Sequence, residues 1–100
     1  MFGLIMRFVG GKEGDESCAD MVGALEQSVA KNDNGDMVDR AARLRNNLRR
    51  NCSGISHDDK IRIVKALNKA KVRALMGGTD ESFSAFTCLN SISSDVVQLL

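Results

Sequence analysis

Apolar residues recur every three or four positions along most of the chain, which is the spacing of the buried face of an amphipathic helix. The clearest example is the segment 56–76, whose apolar positions share one face: Ile63, Leu67, Ala70 and Ala74. Ser56 suits the N-cap of this helix, and Gly77 and Gly78 suit its C-terminal end. The pattern predicts one long helix over residues 56–76.

The same spacing predicts two helices before it. The first covers residues 15–31 with Asp15 or Ser17 as its N-cap, and its apolar positions form one stripe: Cys18, Met21, Val22, Leu25 and Val29. The second covers residues 37–51 with Asp36 as its N-cap, after the turn NDNGD. Its apolar seam is equally regular: Met37, Ala41, Leu44, Leu48 and Cys52. Because only CSGI separates this helix from the next, we expect the two to be antiparallel or crossed neighbours.

A fourth helix is predicted over residues 79–90, with Thr79 as its N-cap and acids in its first turn. The serine-rich residues 91–94 are expected to interrupt it before a short apolar segment, 95–100. At the other end, residues 2–9 are rich in strand formers. A lone strand cannot satisfy its own hydrogen bonds, so we favour pairing with its copy in a second subunit, with a short apolar helix as the alternative.

Composition supports an all-α fold, since the 100 residues include no proline to break a helix. We expect a single domain over residues 1–100, a small bundle of about four helices that forms a homodimer. The N-terminal apolar run is too short to span a bilayer, so no membrane partner is expected. Three cysteines without a close pair indicate reduced thiols and a cytoplasmic location.

Charge is segregated along the chain although the net charge is only +1. Residues 1–30 hold two bases and five acids (−3), and residues 77–100 hold three acids and no base (−3). Residues 31–76 hold twelve bases and five acids, which gives +7. Solvated helices usually interleave both signs, so two helices with this bias indicate an anionic partner.

The candidate binding residues lie on two helices. On the second helix they are Arg40, Arg43 and Arg50. On the third helix they form a stripe roughly opposite the apolar face: Arg62, Lys65, Lys69 and Arg73. Cations spaced along a rigid helix can neutralise successive phosphates without reading base sequence. Duplex RNA suits this arrangement best, because A-form helices are recognised by shape, phosphate and 2′-hydroxyl contacts. We therefore expect sequence-independent duplex RNA binding. A helix-turn-helix over residues 40–76 that binds DNA, a merely solvated basic surface, and an interaction module that docks an acidic protein partner are the alternatives.

Catalysis, cofactors and metals are not expected. His57 is the only histidine, and its neighbours Asp58 and Asp59 are explained by the start of a helix. The cysteines lack the close ligand pair of a zinc site. The NDNGD turn has Ala30 where a calcium loop would place its first ligand. The absence of Trp and Tyr argues against stacking platforms for single-stranded bases.

In size, helical content and the presence of a long basic helix, the chain resembles small viral silencing suppressors that bind duplex RNA as helical dimers. The resemblance is one of architecture, covers no motif, and assigns no residue. It implies a viral protein of the silencing-suppressor type, whereas the acidic-partner alternative implies an inhibitor or adaptor encoded by a virus or phage.

Overall fold

The computed structural model describes residues 17–51 and 55–100. Within these ranges the chain forms four helices and no strand: α1 (Cys18–Lys31), α2 (Asn34–Asn51), α3 (His57–Met76) and α4 (Asp80–Leu99). The all-α prediction is confirmed for this part of the chain. The strand or helix predicted for residues 2–9 lies outside the described residues, and the homodimer stays a prediction.

The N-caps follow the sequence closely. Ser17, Ser56 and Thr79 each accept a hydrogen bond from the backbone N–H three residues later, at 3.0–3.1 Å. These bonds satisfy N–H groups that have no partner inside the helix. At the end of α3, Gly77 keeps a right-handed conformation, and the left-handed position falls one residue later, at Gly78 (φ 74°).

The start of α2 differs from the prediction. Asn32 adopts a left-handed conformation (φ 59°), so the chain reverses within two residues and α2 begins at Asn34 rather than at Met37. The cap is Asp33, whose Oδ1 accepts a hydrogen bond from the N–H of Asp36 at 3.0 Å. Asp36 as N-cap was therefore wrong; its carboxylate instead accepts a hydrogen bond from the hydroxyl of Ser28 on α1.

The predicted interruption at residues 91–94 is also wrong, because α4 runs unbroken from Asp80 to Leu99. Ile92 and Ser93 are buried on the same side as Leu89 and Val96. Serine is a weak helix former in isolation, but tertiary packing of an amphipathic face overrides that small preference.

The four helices do not follow chain order around the bundle. α1 packs against α2 and α3, α4 packs against the same two helices, and α1 and α4 do not touch. α2 and α3 share few contacts, so the prediction that they are close neighbours is corrected: they lie diagonally across the bundle, and each packs mainly against α1 and α4. The order around the bundle is therefore α1, α2, α4, α3.

Aliphatic side chains supply the core, as the low aromatic content requires. The residues with no measurable exposure come from all four helices: Leu25, Met37, Ala41, Leu44, Leu48, Ile63, Leu67, Ala70, Ala74, Leu89 and Val96. The apolar faces predicted for α2 and α3 are confirmed for the residues that the structure describes, because their seam positions from Met37 to Leu48 and from Ile63 to Ala74 are all buried.

Candidate functional site

The three candidate arginines of α2 share a side of that helix with Asp36, which binds Ser28 of α1. Arg40 Nε lies 3.6 Å from Asp36, and Arg43 Nε lies 3.2 Å from Asp39, one turn earlier in each case. Arg50 is exposed and has no carboxylate within 4 Å in the described part of the chain. The opposite flank of α2 is basic as well, but there Arg45 and Arg49 both pair with Asp95 of α4.

Arg62, at the start of the basic stripe on α3, is bound by an acid from its own chain. Its guanidinium donates two hydrogen bonds to Glu26 of α1, at 2.8 Å from Nη2 and 3.2 Å from Nε. The hydrogen bond from Arg62, with the positive charges of Arg62 and Lys69, lowers the pKa of the Glu26 carboxyl below its ordinary value of 4.5. The bidentate pair joins α1 to α3 and reduces the charge that Arg62 can offer to a ligand.

The Glu26–Arg62 pair predicts a pH dependence of stability. Because folding lowers the pKa of Glu26, the stabilisation is present above about pH 4.5 and is lost as the pH falls through the lower pKa of the folded state. Glu26→Gln should therefore be less stable than the native chain at pH 6 by up to ~1 kcal/mol, since both side chains are over 40% exposed. Urea unfolding at pH 6 and pH 3 measures this difference. It should shrink at pH 3; a difference that grows on acidification would contradict the assignment.

Lys65, Lys69 and Arg73 differ from Arg40, Arg43 and Arg62 and are similar to Arg50. All three are exposed, and no carboxylate lies within 4 Å of them in residues 17–51 and 55–100. At ~1.5 Å per residue they extend over ~12 Å of α3. We call these three residues the α3 cation strip. Together they make a run of available positive charge along one helix, whereas Arg50 is a single exposed cation on α2.

A groove runs beside the α3 cation strip, where α1 ends and α3 continues. It has a volume of about 650 Å³. Lys69 and Arg73 supply its charge, Asn32 and Asn68 supply amide groups, and its apolar lining comes from neighbouring turns: Val29, Val72 and Met76. A second, smaller groove on the α1 side of α3 also includes Lys69 and Arg73, together with Glu26.

The seven candidates do not form one continuous surface. Ser28 binds Asp36 of α2 on one side of α1, and Glu26 binds Arg62 of α3 on the other. Both basic flanks thus border α1, which lies between them. The predicted basic stripe of α3, which runs from Arg62 to Arg73, is also nearer the core than predicted. Ala66 lies on the same side of the helix and is only 1% exposed. The stripe lies on a flank of α3 rather than opposite the buried face.

The outer side of α3 is more apolar than the charge pattern indicated. Val72 and Leu75 are about half exposed, and Met76 is 77% exposed. Sequence reasoning assigned the apolar residues of α3 to a single face and missed this second one. Its signal was present in the sequence, because these positions fall outside the arc occupied by Ile63, Leu67, Ala70 and Ala74.

The remaining reactive side chains are scattered. In the described ranges, no three of the side chains His, Cys, Asp and Glu are grouped as a metal site requires. Cys18 is half-buried, and burial raises the pKa of its thiol. Cys88 is exposed. No helix in residues 17–51 and 55–100 has the length and apolarity needed to cross a membrane.

Within residues 17–51 and 55–100, the α3 cation strip and its groove place exposed cations beside a cavity. Comparison with protein-family models, with curated proteins and with solved structures finds no match to the chain.

Proposed function

We propose that this protein binds duplex RNA independently of sequence, through phosphate contacts made by the α3 cation strip. The observation that carries the proposal is the run of Lys65, Lys69 and Arg73 along one rigid helix, exposed and without a carboxylate within 4 Å in the described ranges. Such a run can meet several phosphates of a duplex at once, because helical nucleic acid carries closely spaced negative charges.

The other four candidates act as auxiliary contacts. Arg43 and Arg40 are held by carboxylates one turn away, and exposed pairs of this kind contribute only ~0.3–0.5 kcal/mol, so a phosphate can compete for the arginine. Arg62 is held more firmly by its two bonds to Glu26. Arg50 is exposed on α2, apart from the cation strip of α3, and would meet a neighbouring stretch of the backbone.

Duplex RNA is favoured over single strands because the chain has no Trp or Tyr to stack on bases. It is favoured over sequence-specific DNA because the strip consists of cations alone, and contacts of cations with phosphates carry no sequence information. A-form RNA, whose deep major groove is closed to side chains, is recognised through its backbone by such surfaces.

Binding of a random-sequence RNA duplex over a salt series tests the proposal. The logarithm of the affinity should fall linearly with the logarithm of salt concentration. Lys69→Gln should weaken binding and reduce the magnitude of the slope by about one, because one phosphate contact is lost. Electrophoretic shift or fluorescence anisotropy with a labelled duplex measures both quantities.

Arg49→Gln is the matched control, since it removes the same charge from the flank of α2 that faces α4, where Arg49 pairs with Asp95. We expect its slope to equal that of the native chain. An affinity that does not depend on salt, or a Lys65→Glu/Lys69→Glu double variant that binds as well as the native chain, would exclude the α3 cation strip as the binding surface.

The groove beside Lys69 and Arg73 favours a second candidate function, the docking of an acidic protein. Val72 and Met76 line this groove together with the two cations, and phosphate groups make no favourable contact with apolar side chains. A peptide with an apolar anchor beside carboxylates would fit both parts of the lining. A single stoichiometric partner that remains bound after nuclease treatment, together with failure of RNA duplexes to bind, would favour this function over the first.

A further inference from the structure

The outer side of α3 carries a seam that is symmetric about Asn68. Val64 and Val72 lie four residues from Asn68 on either side, and Ile61 and Leu75 lie seven residues from it. At about 100° per residue, these five positions occupy an arc of about 80° on the helix surface, away from the core. Ile61, Val72 and Leu75 are 41%, 54% and 53% exposed, and Val64 is partly buried.

From this symmetry we infer that the seam is the interface with a second copy of this chain, with the two α3 helices packed antiparallel across a two-fold axis at Asn68. In an antiparallel pair, a residue a given distance before the axis meets the residue the same distance after it in the copy. Ile61 then meets Leu75 of the second copy, and Val64 meets Val72. A two-fold interface has to be self-complementary in this way.

Asn68 fits the central position of such a pair. Its side chain is exposed in the single chain. Across the axis, its amide would face the same amide of the second copy, and two amides can exchange hydrogen bonds. A single asparagine in an otherwise apolar seam is a known device for fixing the register of paired helices.

A groove next to the seam can accommodate the Leu75 side chain of the second copy. It has a volume of about 440 Å³ and lies between α3 and the end of α4, with four apolar side chains in its lining: Ile61, Val64, Val97 and Leu100. The antiparallel register brings Leu75 of the second copy to the level of Ile61, at the mouth of this groove. The two-fold axis repeats the same contact on the other side.

The charges around the groove are complementary to the end of the helix that would enter it. Lys60 and Lys65 stand at its rim. In the antiparallel register, the end of α3 in the second copy arrives there with the first turn of α4, which carries exposed Asp80 and Glu81. Opposite charges across an interface favour one orientation over others. A parallel pairing would place Lys60 and Lys65 against their own copies instead.

The interface does not require the proposed RNA binding, although Lys65 belongs to both surfaces, so it is tested without nucleic acid. Sedimentation equilibrium of the full chain, freed of nucleic acid at high salt, should show a species of twice 10.9 kDa that dissociates on dilution. Leu75→Glu should raise the dissociation constant about tenfold or more. Thr87→Glu, on the exposed side of α4, is the matched control and should dimerise normally.

Position 68 provides the sharper test, because only a two-fold axis at that position places residue 68 of one copy against residue 68 of the other. Asn68→Asp and Asn68→Lys should each weaken the homodimer through like charges, and an equimolar mixture of the two should restore dimers that contain one chain of each. Circular dichroism checks that each variant is folded. A native chain that is monomeric at all concentrations, or a mixture no more dimeric than its components, would overturn the inference.

Discussion

Replacement of Leu67 by alanine is expected to lower the free energy of unfolding by about 2–5 kcal/mol. Leu67 lies in the middle of α3, has no measurable exposure, and belongs to the core cluster formed by all four helices. The smaller side chain leaves a cavity that the surrounding helices can fill only in part. Because domains of this size are stable by roughly 5–15 kcal/mol, the loss is a large share of the total.

The chain has no Trp or Tyr, so urea unfolding followed by far-UV circular dichroism is the suitable measurement for Leu67→Ala. Protein concentration should be held fixed, since self-association links stability to concentration. Leu67→Met, which nearly conserves volume, is the control and should cost less than about 1.5 kcal/mol. Equal losses for alanine and methionine would show that Leu67 is not packed as described.

The local parts of this fold could be read from the sequence because they depend on neighbouring residues. Ser56 and Thr79 were identified as N-caps, and Ser17 was one of two candidates with Asp15, from their side chains and from the acids or apolar periodicity that follow. All three are confirmed. The apolar stripes of α2 and α3 were equally accessible, since a period of 3.6 residues depends only on spacing.

The arrangement of the helices could not be read in the same way. Periodicity shows which face of a helix is buried but not which helix covers it. α2 and α3 were therefore expected to be antiparallel or crossed neighbours only because a short connection joins them. The arrangement depends on packing between residues far apart in sequence, and it brings together Glu26 with Arg62, and Asp95 with Arg45 and Arg49. No local signal marks these pairs.

The same limit explains why only part of the candidate site was foreseen. The sequence shows that Lys65, Lys69 and Arg73 share a side of α3, and the structure leaves all three exposed. The sequence does not show that Arg62 binds an acid from α1, or that Asn32 at the end of α1 helps to line the groove beside Lys69. Cations that share a helix face can therefore differ in the charge that each has available for binding.

Gly77→Ala is expected to destabilise the turn between α3 and α4 by about 1–3 kcal/mol, the cost of overpacking a filled site. A Cβ atom at Gly77 would lie 2.6 Å from Cβ and 2.8 Å from Oγ of Ser82. Ser82 cannot rotate away freely, because its hydroxyl accepts from the N–H of Thr79 at 2.8 Å and donates to the carbonyl of Thr79 at 2.9 Å. The substitution therefore disrupts the capping box between Thr79 and Ser82 at the start of α4.

Gly78→Ala separates steric crowding from backbone strain at the same turn. Gly78 has a left-handed backbone (φ 74°), and a Cβ there would meet no atom within 4 Å, so its cost should be the ~1–2 kcal/mol of that conformation alone. Urea unfolding of each variant gives the two values. The decisive comparison repeats Gly77→Ala in a Ser82→Gly background, which removes the atoms that it would strike. The cost of Gly77→Ala should then fall, and an unchanged cost would mean that Ser82 is not what requires glycine at this position.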